Sequence, residues 1–141
     1  MARVFVFGTL KQGFPNFATN EGRRIAGEFV TVESYPLYLV GERHSPWMID
    51  LPGQGHRVAG QLFEVDEGAL ARMDALERIT EPDGYRRLRI GVVKRGDEDG
   101  ESVEAFVYLQ PTMPRAEDIR LGPLEDYSLA HASLYRSRPA A

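Results

Sequence analysis

Short apolar runs separated by turn residues make up most of the chain. Each run is rich in β-branched and aromatic residues and is bounded by glycine, proline or polar residues, a pattern typical of strands. The segments predicted to be strands on this basis are residues 4–7, 27–32, 37–40, 47–51, 58–65, 86–95 and 102–110. Many short strands of this kind predict a barrel or a curved sheet.

One segment instead has the periodicity of a helix. It begins at Glu67 or Gly68 and runs to about Ile79, and Asp66 is its predicted N-cap. Residues 126–135 are expected to form a last helical turn or two. The fold predicted from these elements is α+β, a small mixed β-barrel-like sheet with one main helix packed alongside.

Length and composition agree with this fold. The chain has 141 residues, 43% of them hydrophobic and 27% charged, which is close to the globular average and excludes disorder of the chain as a whole. No linker, repeat or low-complexity segment divides it. We therefore predict a single domain over residues 1–141.

Charge and cysteine content exclude several functional classes. The net charge is −4, whereas nucleic-acid-binding proteins usually carry a basic excess. The chain has no cysteine, which excludes a cysteine nucleophile, a thiolate metal site and a disulfide scaffold. No apolar run approaches the roughly 20 residues that cross a bilayer, and no secretory signal is recognisable. We expect a cytoplasmic protein without a nucleic-acid or membrane partner.

Glu77 is the residue least expected at its position. With about 100° per residue, it falls between Leu70 and Met73 on the apolar face of the predicted helix, near the helix C-terminus. Burial and the negative end of the helix dipole both raise the pKa of a carboxyl group there, as a general acid or base at neutral pH requires. The alternative is a structural ion pair with Arg86 or Arg87.

A second candidate feature is the glycine-containing loop after the first strand, which begins Phe7-Gly8-Thr9-Leu10. Glycine lets a ligand approach the backbone closely, and successive N–H groups in such a loop can bind an oxyanion or a carboxylate. The Gly-Lys-Ser/Thr ending of a phosphate-binding P-loop is absent. An ordinary strand-to-loop turn is the alternative.

Taken together, these segments resemble the γ-glutamylcyclotransferase superfamily, and most closely its γ-glutamylamine cyclotransferase branch, which includes AIG2-like proteins. The opening loop and the Leu76-Glu77 pair are the most specific elements of the resemblance. The segments that carry it, in order along nearly the whole chain, are residues 4–16, 35–37, 46–47, 51–53, 60–67, 73–77, 85–87, 105–108 and 127–135.

The resemblance implies the fold predicted above and an enzyme, classed as a lyase or transferase, that releases an amine from a γ-glutamyl group and forms 5-oxoproline. The family's catalytic glutamate falls on Glu77, and its substrate-binding loop falls on Phe7, Gly8, Thr9 and Leu10. The family loop usually begins with Tyr, so Phe7 keeps the aromatic ring and lacks the hydroxyl.

Such a reaction needs no nucleophile, metal or organic cofactor from the protein, because the α-amino group of the substrate attacks its own δ-carbonyl. Glu77 would move the protons, and backbone N–H groups of the loop would stabilise the oxyanion. Trp47, Tyr85 and Tyr108 are further candidates for the pocket lining, although each is also a plausible core residue.

Two other functional classes remain open at this point. A metal-dependent hydrolase would have to use His44, His56 and His131, whose spacing matches no metal-binding motif. A non-catalytic small-ligand-binding protein could use the same scaffold. The expected partner is a small-molecule γ-glutamyl substrate, while its leaving group, the pathway and the oligomeric state are not readable from the sequence.

Overall fold

The structure, a computed structural model, describes residues 1–137. Within these residues it contains nine strands and two α-helices. The strands are β1 (Ala2–Val6), β2 (Arg23–Arg24), β3 (Phe29–Tyr35), β4 (Leu37–Val40), β5 (Ser45–Met48), β6 (His56–Val65), β7 (Arg86–Lys94), β8 (Val103–Leu109) and β9 (Ile119–Leu121). The helices are α1 (Glu67–Leu76) and α2 (Leu129–Ala132).

Five of the strands close into a barrel. They follow the order β1-β8-β7-β3-β6, and β6 pairs back onto β1. The β1–β8 pair is parallel and the other four pairs are antiparallel, so the sheet is mixed, as predicted. The short strand β2 pairs with the C-terminal part of β6, at Phe63 and Glu64. Barrel closure leaves few unpaired strand edges.

Gly60 lets β6 take part in two sides of the barrel. The residues before it pair with β3, and those from Gln61 onward pair with β1. A Cβ atom on Gly60 would lie 2.5 Å from the carbonyl oxygen of Val6 and 2.6 Å from Cζ of Phe5. Any side chain here would push β1 away, and glycine is therefore required where the strand bends.

A second sheet covers one end of the barrel. It has the order β5-β4-β9, and β4 and β5 form a hairpin in which Val40 pairs with Ser45. Leu37, Leu39 and Met48 from this hairpin are fully buried in the same apolar cluster as the barrel interior. The hairpin thus packs on the end of the barrel at which β1 ends.

The main helix packs on the outside of the barrel. Ala69 and Met73 of α1 are buried against apolar residues of β1 and β6. The predicted N-cap is confirmed, because Oδ1 of Asp66 accepts a 2.7 Å hydrogen bond from the N–H of Ala69. The helix ends at Leu76, three residues earlier than predicted, since Arg78 has a positive φ of 55° that a helix cannot contain.

Several strand boundaries differ from the prediction by a few residues. The strand predicted over residues 47–51 is β5, which begins at Ser45 where the hairpin starts. The helical turn predicted within residues 126–135 is confined to α2. The strands β2 and β9 were not predicted, because two or three partly polar residues have no readable periodicity. Among residues 1–137, no helix is long and apolar enough to cross a membrane.

Candidate active site

A cavity of about 520 Å³ lies between the loop after β1, the β4–β5 hairpin and the C-terminus of α1. All eight residues that the sequence predicted for a γ-glutamyl substrate site contribute to its lining. They are Phe7, Gly8, Thr9, Leu10, Trp47, Glu77, Tyr85 and Tyr108. The structure therefore brings together side chains and backbone that are up to a hundred residues apart in the sequence.

The loop after β1 presents backbone donors. Residues Phe7–Leu10 are buried, and the N–H of Lys11 donates to the carbonyl of Gly8 at 3.1 Å, which closes a tight turn. Within residues 1–137, the N–H groups of Gly8, Thr9 and Leu10 have no hydrogen-bond acceptor. Buried N–H groups are rarely left unpaired in proteins, so three in a row indicate a site for an anionic or carbonyl oxygen.

Gly8 allows this loop to pack on the second sheet. A Cβ atom at this position would come within 2.9 Å of Cγ of Pro46 in β5. Pro46 is itself held in place, because its carbonyl oxygen accepts a 2.8 Å hydrogen bond from the hydroxyl of Tyr85. Tyr85 therefore fixes the strand against which the loop rests, besides lining the cavity.

Glu77 lies half-buried at the point where α1 ends. Its N–H donates to the carbonyl of Met73 at 2.9 Å, and its own carbonyl accepts from the N–H of Tyr85 at 2.9 Å. These bonds fix the backbone of Glu77 on both sides. The predicted position on the core-facing side of the helix agrees with its place in the cavity wall.

The two arginines considered as ion-pair partners of Glu77 have other contacts. The guanidinium of Arg87 pairs with the carboxylate of Asp74 at 2.5 Å. That of Arg86 donates to the carbonyl oxygens of Glu81 and Gly84.

Tyr108 is anchored beside Glu77 by the same Asp74. Its hydroxyl donates to Oδ1 of Asp74 at 2.7 Å. Burial raises the pKa of Tyr108 strongly, and the negative charges of Asp74 and Glu77 raise it further. The phenol therefore stays protonated, and its donor is committed to Asp74.

Other cavity residues were not singled out as site residues from the sequence. The Nδ2 of Asn16 donates to Oγ1 of Thr9 at 2.9 Å and to the hydroxyl of Tyr135 at 3.3 Å, and Arg43 donates to the same hydroxyl at 3.0 Å. Gln110 also lines the cavity. Asn16 and Tyr135 stood in matching segments, whereas Arg43 and Gln110 lie in a loop and at a strand end where no periodicity marks them.

Lys11 connects the loop to the segment that precedes α2. Its Nζ lies 3.2 Å from Oδ1 of Asp126 and donates to the carbonyl of Tyr127, with the ring of Phe14 4.3 Å away. The side chain is almost fully buried, and burial lowers the pKa of Lys11. Lys11 does not line the cavity, and its contacts with Asp126 and Tyr127 make it a structural cation.

The histidines proposed for a metal site do not meet. None of His44, His56 and His131 lines the cavity. His131 of α2 accepts a 3.0 Å hydrogen bond from the N–H of Ser128, the N-cap of that helix, and His56 lies 3.6 Å from Glu125. In the part of the chain that the structure describes, no group of three potential ligands could hold a metal ion.

Comparison with known proteins gives the same class of protein as the fold and the cavity. The sequence profile described as gamma-glutamyl cyclotransferase, AIG2-like, matches residues 4–129. The gamma-glutamylaminecyclotransferase of Mus musculus is 43% identical over 121 residues, 79% of this chain and 80% of that protein. The Bos taurus protein of the same name is 42% identical over 132 residues, 90% of this chain and 76% of that one.

Solved structures agree. The crystal structure of an AIG2-like protein from Mus musculus superposes with a TM-score of 0.81 at 37% identity, covering 99% of this chain and 97% of that one. The chain belongs to the gamma-glutamyl cyclotransferase, AIG2-like family. Its function is of the γ-glutamylcyclotransferase type.

Proposed function

We propose that this protein converts a γ-glutamyl amine into 5-oxoproline and the free amine, with Glu77 as its acid–base group. One observation carries the proposal. The carboxylate-bearing residue Glu77 and the unpaired N–H groups of Gly8–Leu10 line the same cavity. A proton acceptor facing a set of oxyanion donors is what an intramolecular acyl transfer needs.

The protons balance with Glu77 and solvent. The α-ammonium of the γ-glutamyl unit gives a proton to the Glu77 carboxylate, and the resulting amine attacks the δ-carbon of the same unit. The N–H groups of Gly8–Leu10 donate to the oxyanion of the tetrahedral intermediate. Glu77 then returns its proton to the leaving nitrogen as the C–N bond breaks, and the surplus proton of the attacking nitrogen passes to solvent. The lactam is left with one N–H and the amine is freed.

The cavity suits a substrate of this size. Its volume of about 520 Å³ lies within the range of small-molecule sites. The rings of Trp47, Tyr85 and Tyr108, together with Phe7, supply apolar walls around the reacting groups. Binding that folds the flexible glutamyl chain into attack geometry accelerates the cyclisation. Effective molarities on the order of 10⁵ M are reached when two reacting groups are held together.

The proposed chemistry uses no metal or organic cofactor, since the substrate supplies the nucleophile. A cytoplasmic location and the lack of a nucleic-acid partner stay predictions from the sequence. The second candidate function, a non-catalytic ligand-binding protein, is favoured by Phe7, because the family's usual tyrosine hydroxyl is missing from the loop.

The test is release of 5-oxoproline from γ-glutamyl-ε-lysine, a γ-glutamyl alkylamine, γ-glutamyl-alanine and glutathione. We expect the wild type to act on at least one γ-glutamyl amine. Glu77→Gln should lower kcat by about 10²- to 10⁴-fold, because it removes the group that transfers the protons while conserving its shape.

The matched control is Glu67→Gln, which makes the same change in the exposed first turn of α1. It should retain wild-type kcat. Equal activity of wild type and Glu77→Gln would remove Glu77 from the mechanism. Binding of a γ-glutamyl amine without 5-oxoproline release would favour the non-catalytic function.

A further inference from the structure

The backbone of Gln110 is fixed beside the cavity. Gln110 directly follows β8, its N–H donates to the carbonyl of Met48 at 2.9 Å, and its carbonyl accepts from the N–H of Asp50 at 2.9 Å. The strands β1 and β8 are parallel, so the loop after β1 and the residue after β8 emerge at the same end of the barrel. This is why Gln110 shares the cavity with Gly8–Leu10.

The side chain of Gln110 is buried but unsatisfied. The residue is only 5% exposed, and its Nε2 has no hydrogen-bond partner within residues 1–137. An unpaired buried amide costs free energy that a neighbouring acceptor would recover. Because rotation about the last side-chain bond of glutamine is soft, a ligand in the cavity can supply that acceptor.

Gln61 shows how this chain treats a structural glutamine. Gln61 is equally buried at 6% exposure, and its Oε1 accepts a 2.8 Å hydrogen bond from the N–H of Gln12. It does not line the cavity. The contrast separates a carboxamide that serves the fold from one whose donor is still available.

We infer that Gln110 binds the α-carboxylate of the γ-glutamyl unit through its Nε2. This inference rests on the proposed function and adds a specificity-determining residue to it. The γ-glutamyl unit has two acceptor groups, the δ-carbonyl and the α-carboxylate. The N–H groups of Gly8–Leu10 serve the first in the mechanism above, which leaves the second without a partner.

The cations near the cavity make structural contacts with other parts of the chain. In Arg43, Nε donates to the carbonyl of Arg136 at 2.9 Å, and a terminal nitrogen donates to the hydroxyl of Tyr135. Lys11 is taken by Asp126 and by the carbonyl of Tyr127. The donors of Tyr85 and Tyr108 are committed to Pro46 and Asp74. Among the side chains considered, Gln110 is the one with a fully buried donor that lacks a partner within residues 1–137.

The inference is tested with two substrates that differ in the α-carboxylate alone. One is a γ-glutamyl alkylamine, and the other is the 4-aminobutanoyl amide of the same amine, which cyclises to 2-pyrrolidinone. Gln110→Met conserves the length of the side chain and removes the donor. We expect it to raise KM for the γ-glutamyl substrate by about tenfold to a hundredfold, as for a hydrogen bond to a charged group, and to leave kcat/KM for the analogue unchanged.

A stability measurement separates this role from a structural one. Gln110→Met removes an unsatisfied amide, so its Tm should equal or exceed that of the wild type. Gln61→Met removes a satisfied amide from a similarly buried position, and its Tm should fall. A variant that loses affinity while keeping its Tm therefore reports a ligand contact.

Each outcome bears on the inference. An unchanged KM in Gln110→Met, or an equal loss on both substrates, would overturn it while the proposed cyclotransferase activity stands. Wild type that neither turns over these substrates nor binds 5-oxoproline would overturn both proposals together. A change in the side-chain NH₂ resonances of Gln110 on addition of 5-oxoproline, larger than with 2-pyrrolidinone, would support it.

Discussion

At the scale of single residues, the contact between Gly8 and Pro46 sets how the substrate loop is placed. A Cβ atom on Gly8 would lie 2.9 Å from the ring of Pro46, which cannot rotate away. Either the loop or β5 must move to make room. We therefore predict that Gly8→Ala raises KM at least tenfold, because misplaced N–H groups lose their alignment with the carbonyl oxygen.

The check is steady-state kinetics beside a second glycine variant. Gly68 lies in the first turn of α1, where an added Cβ meets no heavy atom closer than 3.4 Å. Gly68→Ala should increase the free energy of unfolding by about 0.5–1 kcal/mol through helix propensity and leave KM unaltered. Wild-type KM in Gly8→Ala would show that the loop tolerates displacement.

The sequence predicted the position of a residue where a pattern could be compared with a regular element. Glu77 was singled out because a charged residue stands out on the apolar side of a helix; it lines the cavity, and its catalytic role stays a prediction. Gln110 could not be found in this way, since nothing in the sequence tells a carboxamide that lacks a partner from one that has a partner. Its state depends on which atoms of distant segments surround it.

At the scale of elements, α1 carries Glu77 at one end and is capped by Asp66 at the other. We predict that Asp66→Ala lowers the free energy of unfolding by about 1 kcal/mol, because the N–H of Ala69 loses its acceptor. Urea denaturation measures the change. The folded fraction should keep wild-type kcat, since the backbone of Glu77 is also held by Tyr85; a parallel loss of kcat would show that the cap positions Glu77.

The elements that were predicted are those whose periodicity extends over several residues, such as β6, β7, β8 and α1. The end of α1 was placed too late because the apolar pattern continues through Ile79, whereas the positive φ of Arg78 ends the helix. The parallel pairing of β1 with β8 joins strands about a hundred residues apart in the sequence and leaves no local trace there.

At the scale of the whole molecule, buried tyrosines determine stability at high pH. Burial, with the charges of Glu33 and Asp50, raises the pKa of Tyr35 to about 12, and burial also raises the pKa of Tyr108 and Tyr127. In the unfolded chain a tyrosine ionises near 10.0. Above that pH the folded state binds more protons than the unfolded state, so the free energy of unfolding must fall as pH rises.

We therefore predict a decline in stability from pH 10 towards 12, visible as a falling urea midpoint. Lys11 acts in the opposite sense, since its lowered pKa makes the free energy of unfolding rise with pH up to 10.5. Because three tyrosines lower the free energy of unfolding and one lysine raises it, the net change is a decline. Tyr35→Phe should make the decline shallower. An unchanged slope would show that Tyr35 ionises in the folded protein as it does in the unfolded chain.

The parallel β1–β8 pair also has a consequence for how the protein folds. Val4 pairs with Phe106, more than a hundred residues further along the chain, so the barrel closes through contacts of high contact order, which form slowly. The loop after β1 and Gln110 after β8 come together only when these two strands pair. A ligand held between them binds only the closed barrel and stabilises it by mass action. Substrate or product should thus slow hydrogen exchange most at the β1–β8 junction. Ligand binding in the cavity would then make the opening of the barrel less frequent.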